Sequence, residues 1–143
     1  MENFSSYESR IAKIDAGSAE IFDFVSDMRN FKRFLPEKTV QNWQASADEC
    51  SFEVTPVGRS MIKIERKDPY NTVKFAGQGM NNTEFYIWVQ LKELAEKDTR
   101  VKLTIKADLN PGIKLIASKP INDFLEKMVR GMEKFDDWGD INL

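Results

Sequence analysis

The side chains that most often carry catalysis are almost missing from this chain, which has no histidine and a single cysteine, Cys50. That excludes a Ser–His–Asp or Cys–His nucleophile, an HExxH zinc helix and an imidazole proton shuttle. One thiol also makes neither an internal disulfide nor a CxxC pair. Acid–base chemistry would fall to carboxylates, Lys, Arg or Tyr, which need burial to move their pKa toward neutrality. Arg66 shares strand parity with Ile62 and Ile64, so it either points inward to meet a ligand carboxylate or ends its strand in solvent. Cys50 stands at a strand start before Phe52 with no base nearby in sequence, and reads as a half-buried, inert thiol. Asp136, Asp137 and Asp140 lack the spacing of a calcium loop and read as a solvated helix end. Gly77-Gln78-Gly79 precedes a strand rather than a helix, so it marks a turn or bulge and no phosphate cradle. We expect no catalytic residue, no metal and no cofactor from these patterns.

Two aromatics stand apart. Phe85, Ile87 and Val89 claim one face of their strand, which leaves Tyr86 and Trp88 on the other beside Glu84 and Gln90. They either pack under lysine stems, with Lys102 or Lys106 across the strand, or form an interface, a homodimer being the simplest.

The elements that must position these groups follow from period and punctuation. With 143 residues, 41% of them apolar, the chain has the length of one compact domain, residues 1–143. Twenty-one Lys and Arg against 23 Asp and Glu leave a net charge of −2, which supplies no field for nucleic acid. The longest aromatic–aliphatic run, Phe85 to Val89, is far below the ~20 residues that cross a bilayer, so no membrane insertion is expected. MENFSSYESR lacks the basic, apolar, small-residue order of a secretory signal, and with the lone cysteine this points to the cytoplasm.

Tyr7 to Ile14 alternates as a strand and breaks at Asp15-Ala16-Gly17. Ser18 then stands at a helix N-cap, with Ile21, Phe22, Phe24, Val25 and Met28 at helical spacing. A second short helix, Arg29 to Leu35, carries Phe31, Phe34 and Leu35 up to Pro36. From Val40 to Leu109 the period becomes 2 with turn signals about every ten residues, which predicts antiparallel strands near 40–46, 51–56, 60–67, 72–77, 83–94 and 99–108. After Asn110-Pro111-Gly112 the helical period returns, with an apolar stripe from Leu115 to Trp138; either a short helix precedes Pro120 or the helix kinks there, and the main part is expected over 120–138, with Pro120 near its first turn and Gly139 beyond its end. The sum is an α+β fold in which a curved antiparallel sheet of about seven strands wraps around one long C-terminal helix, with two short helices after the first strand.

In that order, the segments SAEIFDFVSDMRNFKRFLP, WVQLKELAEKDTRVKLTI and PINDFLEKMVRGMEKF resemble the START/polyketide-cyclase-like (SRPBCC) superfamily, which has the helix-grip fold. The resemblance covers almost the whole chain. It implies a hydrophobic small molecule, lipid or polyketide-like, held between sheet and helix. It also admits a cyclase/dehydratase-type enzyme or an interaction module of the chaperone-regulator type. From strand parity and helix face, the expected ligand wall is Phe24, Val54, Ile64, Phe75, Phe85, Ile87, Leu103, Ile105, Phe124, Met128 and Met132, with Arg66 or a tyrosine setting orientation. Phe124, Met128, Gly131 and Met132 are either ordinary core or part of a ligand wall, for which thioethers beside a mid-helix glycine suit irregular space and varied guests.

Overall fold

Alternation decides most of the architecture. The computed structural model describes residues 4–33, 38, 40–54, 58–79 and 82–139. Its strands are β1 (Phe4–Glu8), β2 (Ala12–Ile14), β3 (Val40–Ala45), β4 (Glu49–Val54), β5 (Gly58–Asp68), β6 (Thr72–Gln78), β7 (Glu84–Ala95) and β8 (Asp98–Asp108). They form one antiparallel sheet in the order β1-β8-β7-β6-β5-β4-β3, with β2 also on β8. Helix α1 (Ser18–Val25) and a 3-10 turn (Met28–Arg33) join β2 to β3, and α2 (Pro111–Lys134) follows β8. This is the α+β helix-grip architecture the sequence predicts. Of the expected elements, residues 55–56 of the second strand in the period-2 region and Phe34, Leu35 and Pro36 of the second helix lie outside the described residues.

The expected first strand is two. The Ser9 N–H reaches Leu103 O at 2.8 Å, while the Leu103 N–H donates to Ser9 Oγ at 2.9 Å. A side chain has replaced a backbone acceptor, so the ladder stops, Ile11 is left exposed, and β2 pairs again further along β8. Helix α1 is also capped differently. Gly17, not Ser18, is the N-cap and offers no side chain, and the Ser18 N–H is taken by Glu93 Oε1 of β7 at 2.7 Å.

A register shift in β5 corrects the reading of Arg66. Ile64 faces Phe75 of β6, but Arg66 faces Lys74, so one extra residue sits between them and parity flips. Arg66 therefore stands in solvent, its side chain 71% exposed, with Nε 3.1 Å from Asp68 Oδ1.

Helix α2 starts nine residues earlier than the expected 120 and stops before Trp138. Asn110 caps it, Oδ1 accepting the Ile113 N–H at 2.9 Å, and Pro111 occupies the first turn, where a missing donor costs nothing. Pro120 lies inside, so the Ile116 carbonyl loses its helical partner without ending the helix. At Phe135 the backbone becomes extended. That turn brings Trp138 back onto Phe24 and Phe135, with ring centroids 5.2 and 4.9 Å away and both contacts edge-on. Aromatic burial of this kind contributes more than another half-turn of helix.

The core lies between the sheet's inner face and the helices. Val73, Phe75, Val89, Leu91, Val101, Leu103 and Ile105 face inward from β6 to β8, against Leu125, Met128, Val129 and Met132 of α2 and Ile21, Phe24 and Val25 of α1.

Candidate functional site: an apolar hollow under the first half of α2

Where α2 leaves β8, the sheet and helix do not close on each other. A hollow of about 190 Å³ lies between them. The helix supplies Ile113, Ile116, Ala117, Pro120, Ile121 and Phe124, spaced three and four residues apart so that they share one face. The sheet supplies alternate inward positions: Phe52 and Val54 from β4, Ser60 from β5, Phe85 and Ile87 from β7, Ile105 and Ala107 from β8. Leu109, Gly79 and Thr83 complete the wall. A deeper void of about 50 Å³ lies beyond Phe52, Ile87 and Phe124, which line both, and Phe75, Leu103, Met128 and Cys50 are among its other walls. The mouth is greasy: Ile116 is 62% exposed, and its neighbour Leu115, 87% exposed, has no packing to justify it.

Two glycines shape this space. A Cβ on Gly77 would collide with the Phe85 ring, so only glycine lets that ring lie flat on β6. Gly79, whose N–H closes the hairpin on Thr83 O at 2.8 Å, lies beside Ser60, and a Cβ there would fit at an ordinary 3.6 Å from Oγ. The GxG fragment is not the turn or bulge its setting suggests: Gly77 and Gln78 are paired in regular strand on both sides, and only Gly79 lies beyond the end of β6.

The helix is held from outside. Arg10, between β1 and β2, places Nη1 and Nη2 2.8 and 2.7 Å from the Glu133 carboxylate and Nε 3.2 Å from Glu126. The hydrogen bond from Arg10 holds the Glu133 carboxyl below its usual range. At the other half, Tyr7 Oη and Ser118 Oγ are 2.7 Å apart.

The hollow gathers some expected wall residues and not others. Val54, Phe85, Ile87, Ile105 and Phe124 line it, and Phe75, Leu103 and Met128 line the deeper void. Ile64 is half-buried against the core and borders neither. Phe24 and Met132 are fully buried; Phe24 packs under Phe135, Trp138 and the Arg33 guanidinium. Arg66 is on the outer face, away from any guest. The lining that sequence reading missed is chiefly Ser60, Ile113, Ala117 and Ile121. Ser60 was visible in the alternation Ser60, Ile62, Ile64, and Ile121 in the apolar stripe of the expected helix, while Ile113 and Ala117 follow once α2 begins at Pro111.

Among the described residues, the lining of the main hollow holds no Asp, Glu, Lys, Arg or Tyr. The Cys50 thiol is buried beside the deeper void, and desolvation pushes its pKa up to about 12, so it stays protonated and inert at neutral pH. No group of three potential metal ligands occurs among the described residues, and Asp140 of the acidic end lies outside them. A wider concavity of about 620 Å³ exists on the sheet's outer face, but it is an open saddle whose walls mix Glu49, Lys63 and Glu84 with Met61 and Tyr86. Water fills such a surface without penalty, whereas the smaller apolar hollow keeps it poorly. On that outer face Tyr86 and Trp88 are half-buried, with Lys74 Nζ 4.8 and 5.4 Å above their rings and Lys106 Nζ 5.7 Å from Trp88. Lysine packing is present there, with Lys74 in place of Lys102.

No protein-family model matches this chain, and no curated protein matches it in sequence. Solved structures do. A START superfamily protein from Mycobacterium smegmatis superposes with a TM-score of 0.68 at 13% identity, covering 91% of this chain and 94% of the other. Norcoclaurine synthase from Thalictrum flavum gives 0.67 at 11% identity over 92% and 85%. A conserved protein from Geobacillus kaustophilus gives 0.59 at 13% identity over 90% and 95%. The fold is therefore START-like, of the SRPBCC helix-grip type, and at these identities the likeness speaks for fold alone. Among the described residues no helix is long and apolar enough to cross a membrane.

Proposed function

We propose that this chain is a single-domain, cytoplasmic protein that binds a hydrophobic small molecule, lipid or polyketide-like, in the hollow under α2. The observation that carries the reading is an apolar wall with an open, apolar mouth at Ile116, a surface costly to leave in water unless something else covers it. Val54, Phe85, Ile87, Ile105 and Phe124 would hold the guest together with Ile113, Ala117 and Ile121, chiefly through apolar burial worth about 25 cal/mol per Å². Similar folds accept small organic molecules: norcoclaurine synthase from Thalictrum flavum has been solved with dopamine and hydroxybenzaldehyde. The lone buried thiol suits a reducing compartment. No reaction is part of this proposal.

The test is to fill the space. Ala117 is buried and faces the hollow, so Ala117→Phe puts a ring where the guest would lie. Titration with the neutral dye N-phenyl-1-naphthylamine should give saturable fluorescence enhancement with wild type, and affinity at least about tenfold weaker with Ala117→Phe. Urea unfolding of both proteins shows that the variant is folded. No enhancement with wild type, or equal affinity for a folded variant, would sink the reading.

A further inference from the structure

One polar side chain interrupts the grease. Ser60 is 4% exposed, lines the hollow, and has no hydrogen-bond partner for its Oγ among the described residues. It sits opposite Phe52 on β4 and beside Gly79, where an added Cβ would lie 3.6 Å from Oγ. Its Oγ is open to the hollow rather than sealed in the core, so a guest that displaces water from it must supply a hydrogen bond or leave the hydroxyl unpaired, which is unfavourable. With Gly79 and Thr83, Ser60 makes one polar corner, and beyond Phe52, its partner on β4, and Phe124 the hollow gives way to a void lined by hydrocarbon, aromatic rings and sulfur.

The charge inventory matters as much. Arg66, the one cation strand parity could have turned inward, is outside, and among the described residues no Lys or Arg borders either void. A carboxylate drawn into this hollow would lose its water and gain no counter-ion, which is strongly unfavourable. A neutral hydroxyl or carbonyl oxygen asks for one hydrogen bond, and Ser60 can give or accept it.

We propose that the hollow selects neutral amphiphiles bearing one hydrogen-bonding oxygen, a long-chain alcohol or ketone type of molecule, seated with that oxygen on Ser60 and its hydrocarbon toward Phe124, and that it rejects fatty-acid anions. This rests on the reading of the hollow as a binding site and narrows its ligand class.

Four probes of one chain length separate the two claims: decan-1-ol, decan-2-one, decane and decanoate, each displacing N-phenyl-1-naphthylamine from wild type and from Ser60→Ala. Between wild type and Ser60→Ala the alcohol and the ketone should each lose about fivefold in affinity, the worth of one buried hydrogen bond. Decane, which has no oxygen to seat, should not lose affinity in Ser60→Ala, whereas a general loss of structure would weaken all the probes alike. Decanoate should weaken about tenfold for each unit that pH rises between about pH 6 and about pH 8, because only its protonated form enters. If decanoate at about pH 8 binds as well as the alcohol, or Ser60→Ala leaves the alcohol and the ketone as tightly bound as wild type does, the selection claim falls while the binding site stands. If neither the dye nor any probe binds, both fall together.

Discussion

The two halves of α2 carry the same kind of amphipathic pattern and end up in opposite states. From Leu125 onward, Leu125, Met128, Val129 and Met132 are all buried, and Phe24, Phe135 and Trp138 close that end with three rings in mutual contact. Before Phe124 the same helix buries only Ala117, and its other apolar residues look into a hollow or into solvent. What differs is the partner. Helix α1 and the segment after Phe135 both fold over one end of the sheet, and no second layer covers the other end among the described residues. A helix face is only as packed as what the rest of the chain brings to it, so one element supplies stability at one end and space at the other.

The largest effect should come from the closed end. Phe24→Ala removes a fully buried ring and should cost about 3–5 kcal/mol in urea unfolding. Ile113→Ala, on the open half, should cost less than about 1 kcal/mol, since its side chain already borders empty space. Equal losses would erase the distinction between the halves. Gly77→Ala comes next: the new methyl displaces the Phe85 ring into the hollow, for a cost of about 1–3 kcal/mol and a clear loss of dye binding. A variant that binds dye as wild type does would show that the Phe85 ring does not shape the hollow.

Much of this was legible in advance. The six strands from Val40 to Asp108 follow from period 2 and turn residues, because a half-buried strand has to alternate and a hairpin has to turn. The features that escaped are those where a distant group overrides a local signal. Glu93 caps α1 from β7, and Ser9 cuts the first strand with its own hydroxyl. The bulge before Arg66 reverses its face, and nothing in its immediate sequence distinguishes a slipped strand from a regular one. Asn110-Pro111 was a readable helix start, outweighed in the sequence reading by Pro120, which a helix held by tertiary contacts tolerates. The hollow itself was half legible. Helical period assigns Phe124 and Met132 to one face but is silent on depth along it, and eight residues amount to about 12 Å. That distance separates a wall of the void from the closed core.

The smallest effect should distinguish the halves by pH. Arg10 ties the link between β1 and β2 to Glu126 and Glu133, both on the packed half of α2. Because its hydrogen bond holds Glu133 below the ordinary 4.5, the folded state binds the Glu133 proton more weakly than the unfolded chain does. The resulting stabilisation is complete above about pH 4.5 and fades as pH falls through the lowered value. Asp27, held down chiefly by its side-chain hydrogen bond from Arg29, adds a loss of the same sign. Melting temperature should therefore fall on acidification, and Arg10→Ala should flatten the part that belongs to Glu133 while leaving the Asp27 part. The groups are largely exposed, so the difference should be small and shrink further in high salt. Binding of decan-1-ol to the open half should not change between about pH 7 and about pH 5, since among the described residues the lining of the hollow holds no Asp, Glu, Lys, Arg or Tyr. A binding curve that instead followed the melting curve would mean that the strap on the packed half also sets the shape of the hollow, and that the two ends of α2 are one unit after all.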